Sequence, residues 1–291
     1  MRHDRPSFTA TAIAFWRGVA GIEEPLLAPD PVAERLVPAP WRQALALARR
    51  MPRASGALLR LADRVVRGRI RHMAFRTRAI DDVIAAGVAA GIRQVVLLGA
   101  GLDARAWRLP ALRDAPDAPN VIVFEVDHPA TQARKRARLA AIASAARPGA
   151  RDVRFVGVDF ERDSLVDRLA EAGHDRDQPS VFVWEGVLMY LTAEAVHATL
   201  SALVALAAEG SLLAVSYCIV PGRDLVTGAV LSLVGEPIRT RLDPPELAAL
   251  LARHGFEATS DAGDREWARM FATPPGTAGN ERLTVARRTA S

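Results

Sequence analysis

Acidic residues follow four successive apolar runs of the sequence, and a pair of glycines follows the first run. That run, Val95–Leu98, leads into Gly99-Ala100-Gly101-Leu102-Asp103. The next three runs end at Asp127, Asp159 and Glu185. Each run is short, apolar and bounded by turn-forming residues, as a fully buried strand is. Ligands of open α/β sheets lie outside the carboxyl ends of the strands, so these acids are predicted to meet in one site.

The glycine pair begins like a dinucleotide-binding fingerprint, but the residues around it do not fit one. Ala104 stands where that fingerprint has its third glycine. A pyrophosphate also prefers bare backbone amides and a helix N-terminus, with no group of acids nearby. S-adenosylmethionine carries a sulfonium, an ammonium, ribose hydroxyls and an adenine amino group, all of which favour acidic acceptors. The pattern therefore favours S-adenosylmethionine as the cofactor.

Each of these residues also has a purely structural interpretation. A glycine pair after a strand is often only a turn. Asp127 precedes His128-Pro129 and suits the cap of a helix that starts at Thr131. Asp159 suits a turn, and Glu185 suits a surface position next to Gly186. Acids at four matching positions support a shared site more strongly than any one of them does.

Strand-like and helix-like segments alternate through most of the chain, which predicts a mostly parallel sheet covered by helices. The predicted strands are Val95–Leu98, Val121–Val126, Val153–Val158, Val181–Trp184, Leu212–Tyr217, one that opens at Gly255, and Leu283–Val285. The predicted helices are Arg76–Ala90, Thr131–Ala146, Ser164–Ala172, Ala193–Ala208 and Pro244–Gly255. We therefore expect an α/β fold, a doubly wound, seven-stranded Rossmann-like sheet in a single domain over residues 1–291. Residues 1–75, which read as helices divided by prolines, are predicted to form a cap, and residues 219–243 a lid.

The composition argues against several classes of function. The chain has 291 residues, of which 50% are hydrophobic and 24% charged, and a net charge of +5. Its positive residues are spread out, and the cluster Arg134, Lys135, Arg136, Arg138 is predicted to be a solvated helix face rather than a nucleic-acid surface. The single cysteine, Cys218, excludes an internal disulfide. With no apparent signal peptide, membrane span or metal motif, we expect a cytoplasmic protein without bound metal.

A family resemblance rests on four stretches of the sequence: "LLGAGLDARAWRL", "FEVDHPATQARKRARL", "VRFVGVDFERD" and "VFVWEGVLMYLT". They resemble the leucine carboxyl methyltransferase-like family of S-adenosylmethionine-dependent methyltransferases. The likeness runs from about Arg76 through Thr192 and more loosely to the C-terminus. That family includes carboxyl methyltransferases of protein phosphatases and many bacterial members linked to O-methylation of polyketides or other small molecules.

The resemblance implies roles for residues around the glycine turn. Arg76 would bind the carboxylate of the cofactor, with Arg78 as the competing choice. Gly99 and Gly101 would let the methionine portion approach the backbone. Asp103 matches the acidic position that follows the turn in the family.

The resemblance also implies roles for residues after the later strands. Asp127 would accept hydrogen bonds from the ribose hydroxyls, while Asp159 and the amide of Phe160 would hold the adenine. Glu185 would lie near the amino group of the cofactor. Tyr190 would lie near the methyl-transfer centre and is the candidate catalytic residue.

The acceptor is predicted to be a small organic acid or phenol methylated on oxygen. A carboxylate is ionised at neutral pH and needs no general base, whereas a phenol, with a pKa of about 10, benefits from one. Besides Tyr190, the candidate bases are His128 and His197, which we interpret first as a structural and a surface histidine. Three alternatives remain open: methylation of a protein C-terminus, a non-catalytic cofactor-binding protein, and an NAD(P)-dependent oxidoreductase. The last would need a Tyr-x-x-x-Lys pair, which Lys135 does not form.

Residues of the predicted cap and lid are candidates to enclose an aromatic acid. They are Phe15, Trp16, Arg17, Gly235-Glu236-Pro237, Arg239 and Arg241. The alternative is that Phe15 and Trp16 pack the first helix onto the sheet, which we favour over direct contact with the acceptor.

Overall fold

A computed structural model describes residues 8–23, 27, 30–50, 69–113, 120–141, 150, 152–160, 162–219, 237–273 and 280–290. Its strands are β1 (Gln94–Leu98), β2 (Ile122–Asp127), β3 (Asp152–Gly157), β4 (Ser180–Trp184), β5 (Leu212–Cys218), β6 (Phe256–Ala262) and β7 (Glu281–Arg288). They form one seven-stranded sheet in the order β3-β2-β1-β4-β5-β7-β6. Strand β7 runs antiparallel to both of its neighbours, and the other pairs are parallel. The predicted seven-stranded, mostly parallel α/β sheet is confirmed.

The described helices lie along the chain between and before these strands. They are α1 (Phe8–Glu23), α2 (Ala33–Leu36), α3 (Ala39–Arg50), α4 (Arg69–Ala89), α5 (Arg105–Arg108), α6 (Pro129–Ala141), α7 (Leu165–Glu171), α8 (Ala193–Leu206), α9 (Pro244–Arg253) and α10 (Asp264–Met270). Short 3-10 turns occupy Pro110–Leu112 and Leu188–Tyr190. Helix α4 begins seven residues before the predicted Arg76, and α10 lies where no helix was predicted.

The central strands are buried on both faces, which explains their continuous apolar sequence. All five residues of β1 are buried. Val95 and Leu97 belong to the core that includes residues of α1–α4, whereas Val96 and Leu98 belong to the core beneath α7, α8 and α9. Successive side chains of a strand point to opposite faces, so a strand between two helical layers needs apolar residues at every position.

The register of the sheet brings the strand ends to one level. Leu98 of β1 pairs with Val126 of β2 and with Trp184 of β4. Asp127 of β2 pairs with Gly157 of β3. The residues that follow these strands therefore emerge at a single edge of the sheet, as the sequence pattern predicts.

Aromatic side chains pack the N-terminal helices together. The ring of Phe15 contacts those of Trp16 and Trp41, with centroids 5.6 and 5.0 Å apart. Phe15 and Trp16 both pack against the buried core, which agrees with the packing interpretation of these two residues. Of the predicted cap and lid, residues 1–7, 24–26, 28–29, 51–68 and 220–236 lie outside the described residues, as does the predicted helical stretch 142–146. No helix in the described part of the chain is long and apolar enough to cross a membrane.

The prediction of a solvated helix face is wrong at Lys135. Its side chain is 1% exposed, and its Nζ lies 2.6 Å from Oε2 of Glu125. The same ammonium lies 5.1 Å from the centre of the Trp107 ring. Helix α6 therefore turns Lys135 toward the sheet, where a buried carboxylate and an aromatic face replace its hydration.

Candidate active site

A cavity of about 550 Å³ opens at the carboxyl ends of β1 to β4. All of the predicted site residues line it: Arg76, Gly99, Gly101, Asp103, Asp127, Asp159, Phe160, Glu185 and Tyr190. The volume is within the usual range for small-molecule sites, about 300–1,000 Å³. The structure thus brings these residues together, whereas their individual roles toward a ligand stay predictions.

Two glycines with left-handed backbone conformations shape the turn after β1. Gly99 has φ +67° and Gly101 has φ +49°, values that residues with a Cβ rarely adopt. A Cβ on Gly99 would also collide with the side chain of Val187 from the loop after β4. The N–H of Gly101 donates to a carboxylate oxygen of Asp127, which ties the turn to the end of β2.

Asp127 is anchored by backbone groups. Besides Gly101, the N–H of His128 donates to it at 2.6 Å. The first turn of α6 is capped instead by His128, whose Nδ1 accepts from the N–H of Ala130 at 3.2 Å. The helix-cap interpretation of Asp127 is therefore wrong. Burial raises the pKa of Asp127, although its two backbone N–H bonds act in the opposite direction.

Glu185, directly after β4, lies among three arginines. Its Oε1 accepts from Nη2 of Arg17 at 2.7 Å and from Nε of Arg76 at 3.0 Å. Its Oε2 accepts from Nη1 of Arg105 at 2.7 Å. Burial alone would raise the pKa of Glu185, but the guanidinium groups of Arg17, Arg105 and Arg76 hold it well below its usual range. The surface interpretation of Glu185 is therefore wrong.

Asp103 joins the same group of charges through Arg105. The side chain of Arg105 donates to Asp103, and its Nε donates to Asp81 at 2.7 Å. Nη1 of Arg17 lies 3.6 Å from the Asp103 carboxylate. Burial opposes ionisation of Asp103, but Arg105 and Arg17 lower its pKa. The sequence pattern did not identify Arg105, although its spacing from Asp103 in "LDARAW" places both at the start of one short helix.

The structure distinguishes between the two candidate arginines of α4. Arg76 is buried and lines the cavity, where Glu185 and Glu281 accept from its guanidinium. The side chain of Arg78 is 41% exposed and pairs with Asp82 on the same helix at 2.8 Å. Of the two, Arg76 is therefore the one that lines the cavity, and its role toward the cofactor stays a prediction.

The other end of the cavity is formed by residues after β3. Asp159 and Phe160 line it, and the N–H of Asp159 donates to Asp163 at 2.8 Å. Phe160 is exposed although it is a large apolar residue, so its ring is available to an aromatic ligand. His197 lies away from the cavity, with Nδ1 3.2 Å from Nε2 of His254, in agreement with its surface interpretation.

Some of the predicted enclosing residues also reach the cavity. Arg17, Pro237 and Arg239 line it, whereas Phe15, Trp16 and Arg241 do not. Gly235 and Glu236 lie outside the described residues. The N–H of Arg239 donates to the carbonyl of Met189 at 2.8 Å, so this segment runs beside the 3-10 turn that carries Tyr190.

A family model described as leucine carboxyl methyltransferase matches residues 10–204. The chain belongs to this family. A protein of Mycolicibacterium gilvum named "Putative S-adenosyl-L-methionine-dependent methyltransferase" is 38% identical over 251 residues, which cover 84% of this chain and 77% of that protein. A protein of the same name from Mycobacterium tuberculosis strain H37Ra is 38% identical over 208 residues, which cover 71% of this chain and 56% of that protein. This chain thus spans just over half the length of the latter relative.

A solved structure from Thermobifida fusca, described as a putative methyltransferase, shares the fold with a TM-score of 0.56. It is 14% identical, and the match covers 99% of this chain and 97% of that one. Together, the family match and the relatives show an S-adenosylmethionine-dependent methyltransferase.

Proposed function

We propose that this methyltransferase acts on an oxygen of a small organic acceptor, and that this oxygen belongs to a carboxylate. The observation that carries the proposal is the set of charged groups around the cavity. Arg239 lines the cavity without an acidic partner among the described residues, whereas Asp103, Asp127 and Glu185 already accept hydrogen bonds from other groups of the protein. The bound cofactor supplies an electrophilic methyl group on a sulfonium, and the residues of the chain have to orient the two reactants.

The order of the strands supports an extended placement of the cofactor. Asp159 follows β3 and Glu185 follows β4, on either side of β2 and β1. Neighbouring strands lie about 4.8 Å apart, so these ends are separated by roughly 14 Å. In this proposal the adenine lies against Asp159 and Phe160, the ribose at Asp127, and the amino-acid part between the glycine turn and Arg76. Among the described residues none accepts from the buried Nε of Arg17, which leaves a further donor for an anionic group.

The described residues offer little support for a general base near Tyr190. Asp103 and Glu185 are held by arginines, and Asp127 by two backbone N–H groups. Nδ1 of His128 accepts a backbone hydrogen bond, so a proton on this ring belongs to Nε2, which then donates. A phenol would have to lose its proton at this site, whereas a carboxylate arrives already ionised.

Arg239 is the group we assign to the acceptor. It is exposed, lines the cavity and has no acidic partner among the described residues. An arginine presents paired N–H donors that match the two oxygens of a carboxylate. With the acceptor held by Arg239 in the cavity that α1 also lines, good alignment alone supplies on the order of 7–11 kcal/mol of the barrier.

The proposal is tested with labelled S-adenosylmethionine and sets of acceptors matched in shape: an aromatic acid, its primary amide and the corresponding phenol. We expect label on the acid, in a methyl ester that mild alkali hydrolyses to labelled methanol. Alkali-stable label on the phenol would indicate an ether and contradict the carboxylate. Label in protein or tRNA extracts, with none on any small acid or phenol, would contradict the small-molecule acceptor.

A variant pair tests the assignment of Arg239. Arg239→Gln should raise KM for the acid and leave KM for the cofactor unchanged, because the cofactor carboxylate is assigned to Arg76. The control is Arg265→Gln, which removes an exposed arginine of α10 that does not line the cavity. Equal KM values for the acid in both variants would show that Arg239 does not hold the acceptor.

A further inference from the structure

The strand that runs against its neighbours, β7, supplies a carboxylate to the wall behind the cavity. Its first residue, Glu281, accepts from Nη1 of Arg76, and its Oε2 lies 3.1 Å from Nε2 of His72. On the other side of the imidazole ring, Nδ1 of His72 lies 2.6 Å from Oδ1 of Asp264 on α10. A continuous row of side chains, Asp264–His72–Glu281–Arg76, thus leads from the C-terminal part of the sheet to the cavity. Glu281 and Asp264 lie beyond residue 204, where the family match ends.

His72 and Glu281, at the centre of this row, carry opposite charges. Burial alone would lower the pKa of His72, but its hydrogen bonds to Asp264 and Glu281 raise it to about 9. Burial alone would raise the pKa of Glu281, but Arg76 and His72 lower it to about 2. At neutral pH His72 is therefore an imidazolium and Glu281 a carboxylate, and each stabilises the charge of the other.

Two carboxylates fix the plane of the Arg76 guanidinium and leave one of its nitrogens for a ligand. Glu185 accepts from Nε, and Glu281 accepts from Nη1. Among the described residues, Nη2 contacts only the thioether sulfur of Met73 at 3.5 Å, and sulfur is a weak acceptor. Because the guanidinium is planar, fixing two of its nitrogens also fixes the direction in which the third one donates.

We propose that Glu281, held by His72 and Asp264, is a positioning residue that directs Nη2 of Arg76 toward the carboxylate of the cofactor. This inference rests on the proposed role of Arg76 in cofactor binding, and it is independent of the acceptor. It assigns a function in the cofactor site to β7 and α10.

Calorimetry with two probes separates positioning from general stability. S-adenosylhomocysteine carries the amino-acid carboxylate, and 5′-methylthioadenosine lacks it. Glu281→Gln should weaken the binding of S-adenosylhomocysteine about tenfold or more, which is the scale of a hydrogen bond to a charged group. It should change the affinity for 5′-methylthioadenosine by less than about twofold. His72→Gln should act in the same direction with a smaller loss. The control is Asp261→Asn in the neighbouring β6, whose carboxylate accepts from Tyr217 at 2.7 Å and is not part of the row.

The possible results separate the positioning role of Glu281 from the proposed role of Arg76 and from the proposed acceptor. If Arg76→Lys weakens S-adenosylhomocysteine selectively but Glu281→Gln and His72→Gln do not, the positioning role is wrong. If Glu281→Gln and His72→Gln lose affinity for both probes equally, the row has only a structural role, and the positioning role is again wrong. If Arg76→Lys leaves the ratio of the two affinities unchanged, the role of Arg76 is wrong, and this inference with it. Because no acceptor is present, a wrong acceptor assignment does not affect any of these results.

Discussion

Replacing Glu185 by Gln removes one negative charge from the middle of three arginines while keeping the shape of the side chain. The variant leaves Arg17, Arg76 and Arg105 without the carboxylate that now accepts from all three at 2.7–3.0 Å. The Glu185 side chain is 7% exposed, so water cannot readily replace the lost charge. We therefore expect the variant to be strongly destabilised even without a ligand.

The expected loss of folding stability in Glu185→Gln follows from opposing electrostatic contributions. With an effective dielectric constant of about 20, each pair at a separation near 4 Å attracts by about 4 kcal/mol. Repulsion between the arginines and the cost of removing each ion from water offset much of this attraction. Removing one partner of a buried pair costs about 3–5 kcal/mol, and we expect the upper half of that range because three arginines lose the same partner. For a chain of 291 residues this loss lowers Tm by roughly 6–8 °C.

The assay is thermal unfolding at pH 7, with Glu171→Gln as the control. Glu171 also accepts from an arginine, Arg168 at 2.8 Å, but its side chain is 63% exposed. Such a surface pair contributes about 0–1 kcal/mol, so the control should unfold close to the parent protein. Similar Tm values for the two variants would refute the conclusion that Glu185 stabilises the arginines.

The pH dependence gives a second check on Glu185. Its pKa is lowered on folding, so its stabilisation is present above the ordinary value of 4.5 and is lost as the pH falls through the folded-state value. Glu185→Gln should therefore lose less stability on acidification than the parent protein does. An equal loss in both would show that other carboxylates account for the acid response.

Three further predictions concern the turn, the end of β2 and the buried histidine. Asp127→Ala should weaken S-adenosylhomocysteine by about 1.5–3 kcal/mol in calorimetry if the carboxylate holds the ribose, and an unchanged affinity would leave it only the role of anchoring the turn. Gly99→Ala should lower Tm more than Gly210→Ala, because both glycines have positive φ but only at Gly99 would the added Cβ collide with a neighbour; equal Tm losses would contradict the collision. The stabilisation from His72 should be complete below pH 6.5 and be lost as the pH rises through about 9. Unfolding midpoints measured from pH 6 to 10 should show this loss in the parent protein and not in His72→Asn, and parallel profiles would contradict it.

Much of the sheet and the position of the site follow from local features of the sequence. The run Val95–Leu98 is apolar at every position, as a strand covered on both faces requires. Strands β1 to β5 alternate with helices and run parallel, so their carboxyl ends meet at one edge of the sheet. Asp127, Asp159 and Glu185 could for that reason be placed in one site before their distances were known. Gly99 and Gly101 could be recognised because a turn with positive φ favours glycine.

Tertiary structure decided which charged groups meet. Lys135 is flanked by arginines in the sequence, yet its side chain faces Glu125 in the sheet rather than water. His72 and Glu281 are 209 residues apart and come together only because β7 enters the sheet antiparallel beside β5. The spacing of apolar residues along a helix or strand indicates which of its faces is buried, because apolar side chains are the ones that leave water. The partner of a buried charge depends on which elements pack together, and distance along the chain does not encode that choice.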